Sequence, residues 1–156
     1  MSHVRTQIRN QLVTYLTGLS TTGSNVFKSR PQARPLQSSE LPGLVIYTEG
    51  EDDAPQTMGG PSSMQLERHL RVKIEAIVRV NSAFDDTLDT IINEVETALN
   101  ASVTTFSVNN LARLGIRLTS IDDPEFDGQG DKVVGRVAMT WTAIYRTVAS
   151  TPGTAI

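Results

Sequence analysis

The chain has 156 residues, of which 38% are hydrophobic and 20% charged, a balance typical of one globular domain with its own core. Its net charge of −3 does not support a protein held to nucleic acid by phosphate contacts, since such proteins are normally basic. Cysteine is absent, which excludes disulfides, thiolate nucleophiles and cysteine-ligated metals. We see no secretory signal and no apolar run of about 20 residues, so we expect a cytosolic product that does not enter a membrane.

An amphipathic helix is predicted at the start of the chain, with Ser2 as its N-cap. Its apolar face is formed by Val4, Ile8, Leu12, Leu16 and Leu19. A short strand is predicted over Asn25–Ser29. The segment Arg30–Pro42 contains three prolines and little periodicity, which indicates an irregular surface connection.

The segment Met64–Val80 alternates apolar and polar residues, which predicts a strand with one buried and one wet face. Arg68 and Ile77 are the exceptions to the alternation. At about 3.3 Å per residue the run would span on the order of 50 Å, so it either bends or projects as one arm of a hairpin. The short strand Gly43–Thr48 is predicted to be its antiparallel partner, and the acidic segment Glu49–Ser63 to be the loop between them.

A second amphipathic helix is predicted after this strand, capped by Asn81 and Ser82 and ending near Asn100. Its apolar stripe is formed by Phe84, Leu88, Ile91, Ile92, Val95 and Leu99. The segment Val103–Asn110 that follows fits either a short strand or a loop.

Two more strands are predicted, over Leu114–Ile121 and Lys132–Val148, with the loop Asp122–Asp131 between them. The last strand is apolar on both faces, and Trp141 and Tyr145 lie on one of them. A strand of this kind is central in its sheet or covered by a neighbouring chain.

The predicted element order is α-β-β-β-α-β-β. This order indicates an α+β fold, in which an antiparallel or mixed β-sheet carries two amphipathic helices on one face. We expect a single domain over residues 1–149 and a flexible tail over residues 150–156.

An acidic loop offers the only match to a metal-binding motif. Asp123, Glu125, Asp127 and Gly128 fit the start of a calcium loop, but Val134 stands where a bidentate Glu is needed and the predicted flanks are strands. We therefore expect a solvated turn, with no metal and no cofactor.

Candidates for catalysis are few. His69 lies mid-strand on the polar face, where cross-strand pairing is the expected role. The acids Glu49, Glu51, Asp52 and Asp53 lie together on one polar segment, with nothing apolar nearby to separate their pKa values. We expect that the protein is not an enzyme.

Several segments together resemble the tail terminator proteins of long-tailed bacteriophages, the lambda tail-terminator-like family. They are VRTQIRNQLVTYLTGL, SRPQARPLQSSELPGLVIYTEGEDD, LERHLRVKIEAIVRV, DDTLDTIINEVETAL, RLGIRLTSIDD and VVGRVAMTWTAIYRT. The resemblance covers nearly the whole chain and rests on patterns of residues.

This resemblance implies a hexameric ring that caps the phage tail tube, ends its polymerisation and presents a surface to the head-completion proteins. The implied partners are further copies of this chain, the tail tube protein and a head-completion or connector protein. DNA would pass through the lumen without specific binding, and the assembled protein would lie in the virion, at the neck between head and tail.

Two sets of residues are predicted to make these contacts. The predicted subunit interface consists of Arg71, Lys73, Glu75, Trp141, Tyr145 and Arg146. The predicted contact between rings is the loop Glu49–Ser63, which would order on docking. Its predicted contact residues are Glu49, Glu51, Asp52, Asp53 and Met58.

Other functions stay open at this point. The protein could be another neck, tail-completion or head–tail connector ring protein, or a small-ligand-binding α+β module with its ligand between helices and sheet. An enzyme would require the loop Asp122–Asp131 to bind metal.

Overall fold

A computed structural model describes residues 2–28, 36–80, 83–101, 111–112, 114–128 and 133–156. The helices are α1 (Val4–Leu16) and α2 (Phe84–Ala101), and Ser38–Glu40 form one 3₁₀ turn. The strands are β1 (Val26–Phe27), β2 (Gly43–Pro55), β3 (Gln65–Val80), β4 (Gly115–Ile121), β5 (Glu125–Asp127) and β6 (Val133–Val148).

The strands form one mixed sheet in the order β1-β2-β3-β6-β4, with β5 paired to β6 beside β4. Only β1 and β2 run parallel; the other pairs are antiparallel. The two long strands β3 and β6 pair from Gln65 opposite Val148 to Val80 opposite Val133. The prediction that the last strand is central in the sheet is therefore confirmed.

Both helices pack on the same face of the sheet. The core formed there takes every fourth or third residue of each helix and alternate residues of the central strands. Its largest fully buried side chains are Trp141, Tyr145, Ile8, Leu12, Leu16, Leu44, Ile46, Leu70, Ile74, Leu88 and Ile91. Each buried aliphatic side chain stabilises the fold by about 1.5–3 kcal/mol, so the packing of the helices on the sheet accounts for much of the stability.

The predicted fold class and element order are confirmed, with two local differences. His3 caps α1 in place of Ser2, because its Nδ1 accepts a hydrogen bond from the backbone N–H of Arg5 at 3.2 Å. The strand β5 lies within the segment predicted as the loop Asp122–Asp131. The predicted cap at Asn81 and Ser82 and the segment Val103–Asn110 lie outside the described residues.

The first half of the segment Glu49–Ser63 is strand, so the prediction of a loop is wrong there. β2 continues to Pro55 after a register shift between Thr48 and Glu51. The reason is tertiary: its acids lie opposite basic residues of β3, with Asp52 opposite His69 and Asp53 opposite Arg68. Only residues 56–64 remain as the connection, which we call the hairpin tip.

The segment 150–156 makes several backbone hydrogen bonds. Ala155 bridges Thr147, and the N–H of Ile156 donates to the carbonyl of Arg146 at 2.9 Å. The carbonyl of Pro152 accepts from the N–H of Val4 at 3.2 Å. The bonds at Ala155 and Ile156 lie along the part of β6 that β4 does not reach, and the bond at Pro152 joins the segment to α1. The flexibility of the segment stays a prediction.

Candidate functional site

Four of the predicted interface residues share one face of the sheet. Arg71, Lys73 and Glu75 alternate along β3 with core residues, and Arg146 lies opposite Glu67 on the neighbouring strand β6. Because alternate residues point to opposite faces, all four lie on the face away from the helices. We call it the open face.

Cross-strand ion pairs cover much of the open face. Arg71 contacts Asp52 at 2.5 Å, and Arg146 contacts Glu67 at 3.1 Å. Lys73 lies between two acids, 3.4 Å from Asp122 and 3.6 Å from Glu49. Exposed pairs of this kind contribute about 0–1 kcal/mol each to stability. Their larger effect is to fix a pattern of alternating charge that a complementary surface would recognise.

The pKa values on this face follow from the pairs. The hydrogen bond from His69, at 3.0 Å, lowers the pKa of the Glu67 carboxyl, and the Arg146 guanidinium lowers it further. Burial acts against the charge of Lys73, yet the carboxylates of Glu49 and Asp122 outweigh it and raise the pKa of that ammonium group. Both groups are thus held in their charged forms.

Trp141 and Tyr145, also predicted at the interface, lie on the opposite face of β6. Both are fully buried in the core between sheet and helices. They support the open face from behind, and neither presents surface to another subunit in this conformation.

A polar cluster lies at the end of the core nearest the hairpin tip. Its centre is Arg68, whose Nε donates to Thr147 Oγ1 at 2.8 Å and whose Nη1 lies 3.2 Å from carboxylate oxygens of both Glu51 and Asp53. The phenol of Tyr145 donates a hydrogen bond to the other oxygen of Glu51. We call these five residues the Arg68 cluster.

The cluster is largely withdrawn from water. The side chains of Arg68 and Glu51 are 9% and 8% exposed, while that of Asp53 is 37% exposed. Burial, followed by the nearby charge of Glu51, raises the pKa of Asp53, although Arg68 acts to lower it. Burial and the bond to Glu51 raise the pKa of Tyr145 far above its ordinary range, so its phenol remains a donor.

The sequence contains a signal for this cluster. Arg68 occupies an apolar position in the alternation of β3, so its guanidinium must enter the core face. A buried arginine needs carboxylate partners, and the acidic segment of β2, the strand paired with β3, supplies them. Glu51 and Asp53 therefore pair with Arg68 on the core side of the sheet, and Asp52 lies on the opposite face.

The hairpin tip is the most exposed part of the described chain. Residues 52–63 are all exposed, and Met58 is 97% exposed. Of the residues predicted to form a contact loop, only Met58 lies in the tip; Glu49, Glu51, Asp52 and Asp53 belong to β2.

A polar cavity of about 210 Å³ opens on the open face. Ala138, on β6, lies opposite Glu75, on β3, and its short side chain leaves space there. The cavity is lined by Tyr47, Lys73, Glu75, Asp122, Asp123, Glu125, Arg136 and Ala138. Among the described residues, no group of three or more acidic or histidine side chains is arranged to hold a metal ion.

Comparisons with known proteins give little beyond this geometry. No protein-family model matches the chain, and no curated protein matches it. Among solved structures, it is similar to a chain in the virion of a native gene transfer agent particle. That likeness has a TM-score of 0.44 and 17% identity, and it covers 93% of this chain and 92% of that chain. No helix in the described part of the chain has the length and apolarity to cross a membrane.

Proposed function

We propose that this chain is a structural virion protein that assembles into a ring, caps the phage tail tube and ends its polymerisation. The observation that carries the proposal is the open face, on which long strands present fixed, alternating charges and no described helix packs. The resemblance of its segments to tail terminator proteins supports the same function. The ring, by that resemblance a hexamer, would join the tube to the head at the neck of the virion.

The two edges of the sheet supply a route to a closed ring. Beyond Val45, no described strand pairs with the outer side of β2, and β6 is the only described strand that pairs with β4. Two unlike edges on opposite sides of one sheet suit head-to-tail contacts between copies, and such contacts close into rings when the rotation allows. Pairing would also protect edges that otherwise invite aggregation.

The charge of the chain suits passage of DNA through the ring. A net charge of −3 suits a lining that does not hold phosphates, past which DNA would slide without specific binding. The hairpin tip would contact the neighbouring ring, either the last ring of tube protein or the head-completion protein.

We propose a structural role without catalysis. The Arg68 cluster, the most buried group of titratable side chains described, is engaged internally through Thr147, Glu51, Asp53 and Tyr145. Such a cluster suits holding strands together better than acting on a substrate.

Tube assembly tests the proposal directly. Purified tail tube protein would be polymerised with and without this chain, and tube lengths and ends would be measured by electron microscopy. We expect capped tubes that stop growing and a ring at one end. A chain that stays monomeric and leaves tube growth unchanged would overturn the proposal, and binding to portal-bearing heads instead would indicate a connector protein.

A further inference from the structure

Glu75, which lines the polar cavity, has a carboxylate oxygen without a hydrogen-bond partner. Glu75 is 9% exposed, and its Oε2 is buried with no partner in the described part of the chain. Tyr47 hydrogen-bonds to the same carboxyl group. Buried polar atoms are almost always paired, so an unpaired carboxylate oxygen on a residue that lines a cavity points to a ligand that donates hydrogen bonds.

The charge around the cavity favours a cation. Its lining contains four acids, Glu75, Asp122, Asp123 and Glu125, and two bases, Lys73 and Arg136. Lys73 is already engaged by Asp122 and by Glu49, which lies outside the lining. The lining thus carries two more acidic than basic side chains.

We propose that this cavity binds one organic cation, a guanidinium or alkylammonium group, with Glu75 as its principal acceptor. A volume of about 210 Å³ admits the end of one such group. Guanidinium and ammonium groups donate several hydrogen bonds and pair strongly with carboxylates. The described acids do not form a metal-binding set, which favours an organic cation over a metal ion.

Two sources can supply this chemistry: a free small cation, or a basic side chain of a second copy of the chain. Arg117 is a candidate for the second source, because it is exposed and lies opposite Thr142 on the open face. In that form the inference rests on the proposed ring, whereas binding of a free cation does not.

Titration with methylguanidinium chloride, followed by NMR, tests the site. The reference is sodium chloride at the same ionic strength. We expect saturable shifts at the Glu75 carboxyl and at the backbone amides of Asp122, Asp123 and Glu125, with at least tenfold weaker binding in Glu75→Gln. Asp89→Asn, an exposed change on α2 outside the cavity, should leave binding within twofold. Shifts that do not saturate, or that persist in Glu75→Gln, would overturn the inference.

Sedimentation of the Arg117→Gln variant distinguishes the sources. If the cation is a side chain of a second copy, self-association weakens at least tenfold and methylguanidinium competes with it. If the cation is free, the variant associates like the natural chain and still binds the probe. A chain that is always monomeric but binds methylguanidinium would contradict the ring and leave the cavity's role intact.

Discussion

The phenol of Tyr145 donates a hydrogen bond to the Glu51 carboxylate, joining β6 to β2 across the intervening strand β3. The two residues are 94 positions apart in sequence. Arg68 of β3 lies between them and binds the other oxygen of Glu51. The end of the sheet nearest the hairpin tip is therefore held by a buried polar cluster, and the geometry of the tip depends on it.

Removing the guanidinium of Arg68 should destabilise the chain strongly. Arg68→Met leaves Glu51 buried without its ion pair, and such a loss costs about 3–5 kcal/mol. Because Asp53 is partly exposed, we expect a loss of about 3 kcal/mol. Urea denaturation measures the change. Arg71→Met is the matched control, since its partner Asp52 is largely exposed, and it should cost at most about 1 kcal/mol. Equal losses in the two variants would show that the cluster does not stabilise the fold.

The bond between Tyr145 and Glu51 should appear as a coupling energy. Tyr145→Phe removes the donor and leaves a buried carboxylate oxygen unpaired, which costs about 1–3 kcal/mol. In a double-mutant cycle with Glu51→Gln, we expect the two losses to be non-additive by about 1 kcal/mol. The control cycle pairs Tyr145→Phe with Asp52→Asn on the other face, where additive losses are expected. Additivity in both cycles would contradict a specific bond.

Glu75 should make the chain less stable as pH rises. Burial, the main cause, raises the pKa of Glu75 in the folded chain above its ordinary value of 4.5, although Tyr47 and Arg136 oppose it. The folded chain then binds the proton more tightly than the unfolded chain. This contribution to stability is full below pH 4.5 and is lost as pH rises through the folded pKa.

Glu75→Gln should therefore be more stable than the natural chain at pH 7, by about 1 kcal/mol, and its stability should fall less between pH 4 and pH 7. Thermal denaturation across that range measures both effects. Glu67→Gln is the opposing control. Folding lowers the pKa of the Glu67 carboxyl, so the contribution of Glu67 to stability is present at neutral pH and lost as pH falls. A Glu75→Gln profile no flatter than that of the natural chain, or a Glu67→Gln profile that changes in the same direction, would contradict these assignments. A gain in stability at Glu75 would fit a position kept for binding.

Local pattern predicted much of this fold, and long-range pairing decided the rest. The alternation over Met64–Val80 predicted a strand, which the structure has over Gln65–Val80, and it grouped Arg71, Lys73 and Glu75 on one face. β6 is apolar on both faces, so its own pattern does not tell which face the helices cover, and the interface predicted at Trp141 rests on that pattern. In the structure the helices cover the face that carries Trp141.

The acidic half of β2 shows the same limit of local pattern. Its composition is typical of a loop, because acids, glycine and proline all disfavour strands. It becomes a strand through partners on β3, where Arg68 meets Glu51 and Asp53. The unpaired carboxylate of Glu75 has no signal in the sequence, since the cavity is formed by side chains from four strands and the link between β4 and β5.

Gly43 should not tolerate a side chain at the start of β2. A Cβ added there would lie 2.5 Å from the backbone carbonyl oxygen of Glu40, so the chain between them must shift. We expect Gly43→Ala to cost about 2 kcal/mol, within the range for forced overpacking. Gly60→Ala in the hairpin tip meets nothing within 4 Å and should change stability by about 0.5 kcal/mol or less. Chemical denaturation of both variants measures this, and equal costs would mean that the contact at Glu40 relaxes freely.

Shortening the hairpin tip should weaken the capping of tail tubes while the chain still folds. The N–H of Gln56 donates to the carbonyl of Gln65 at 2.8 Å, so a two-residue Asn-Gly turn in place of 57–64 would close the hairpin at an existing bond. The bonds that Pro61 and Met64 accept from Ser150 and Ala149 would be lost, and we expect a loss of about 1–2 kcal/mol in stability.

The same variant should cap tail tubes at least tenfold less well, because the exposed tip is the proposed contact with the next ring. Met58→Ser keeps the tip's length and its bonds, and it isolates the contribution of the most exposed apolar side chain. Normal capping by the shortened chain, with its fold confirmed by circular dichroism, would remove the tip from the contact and leave the open face as the remaining surface for neighbouring rings.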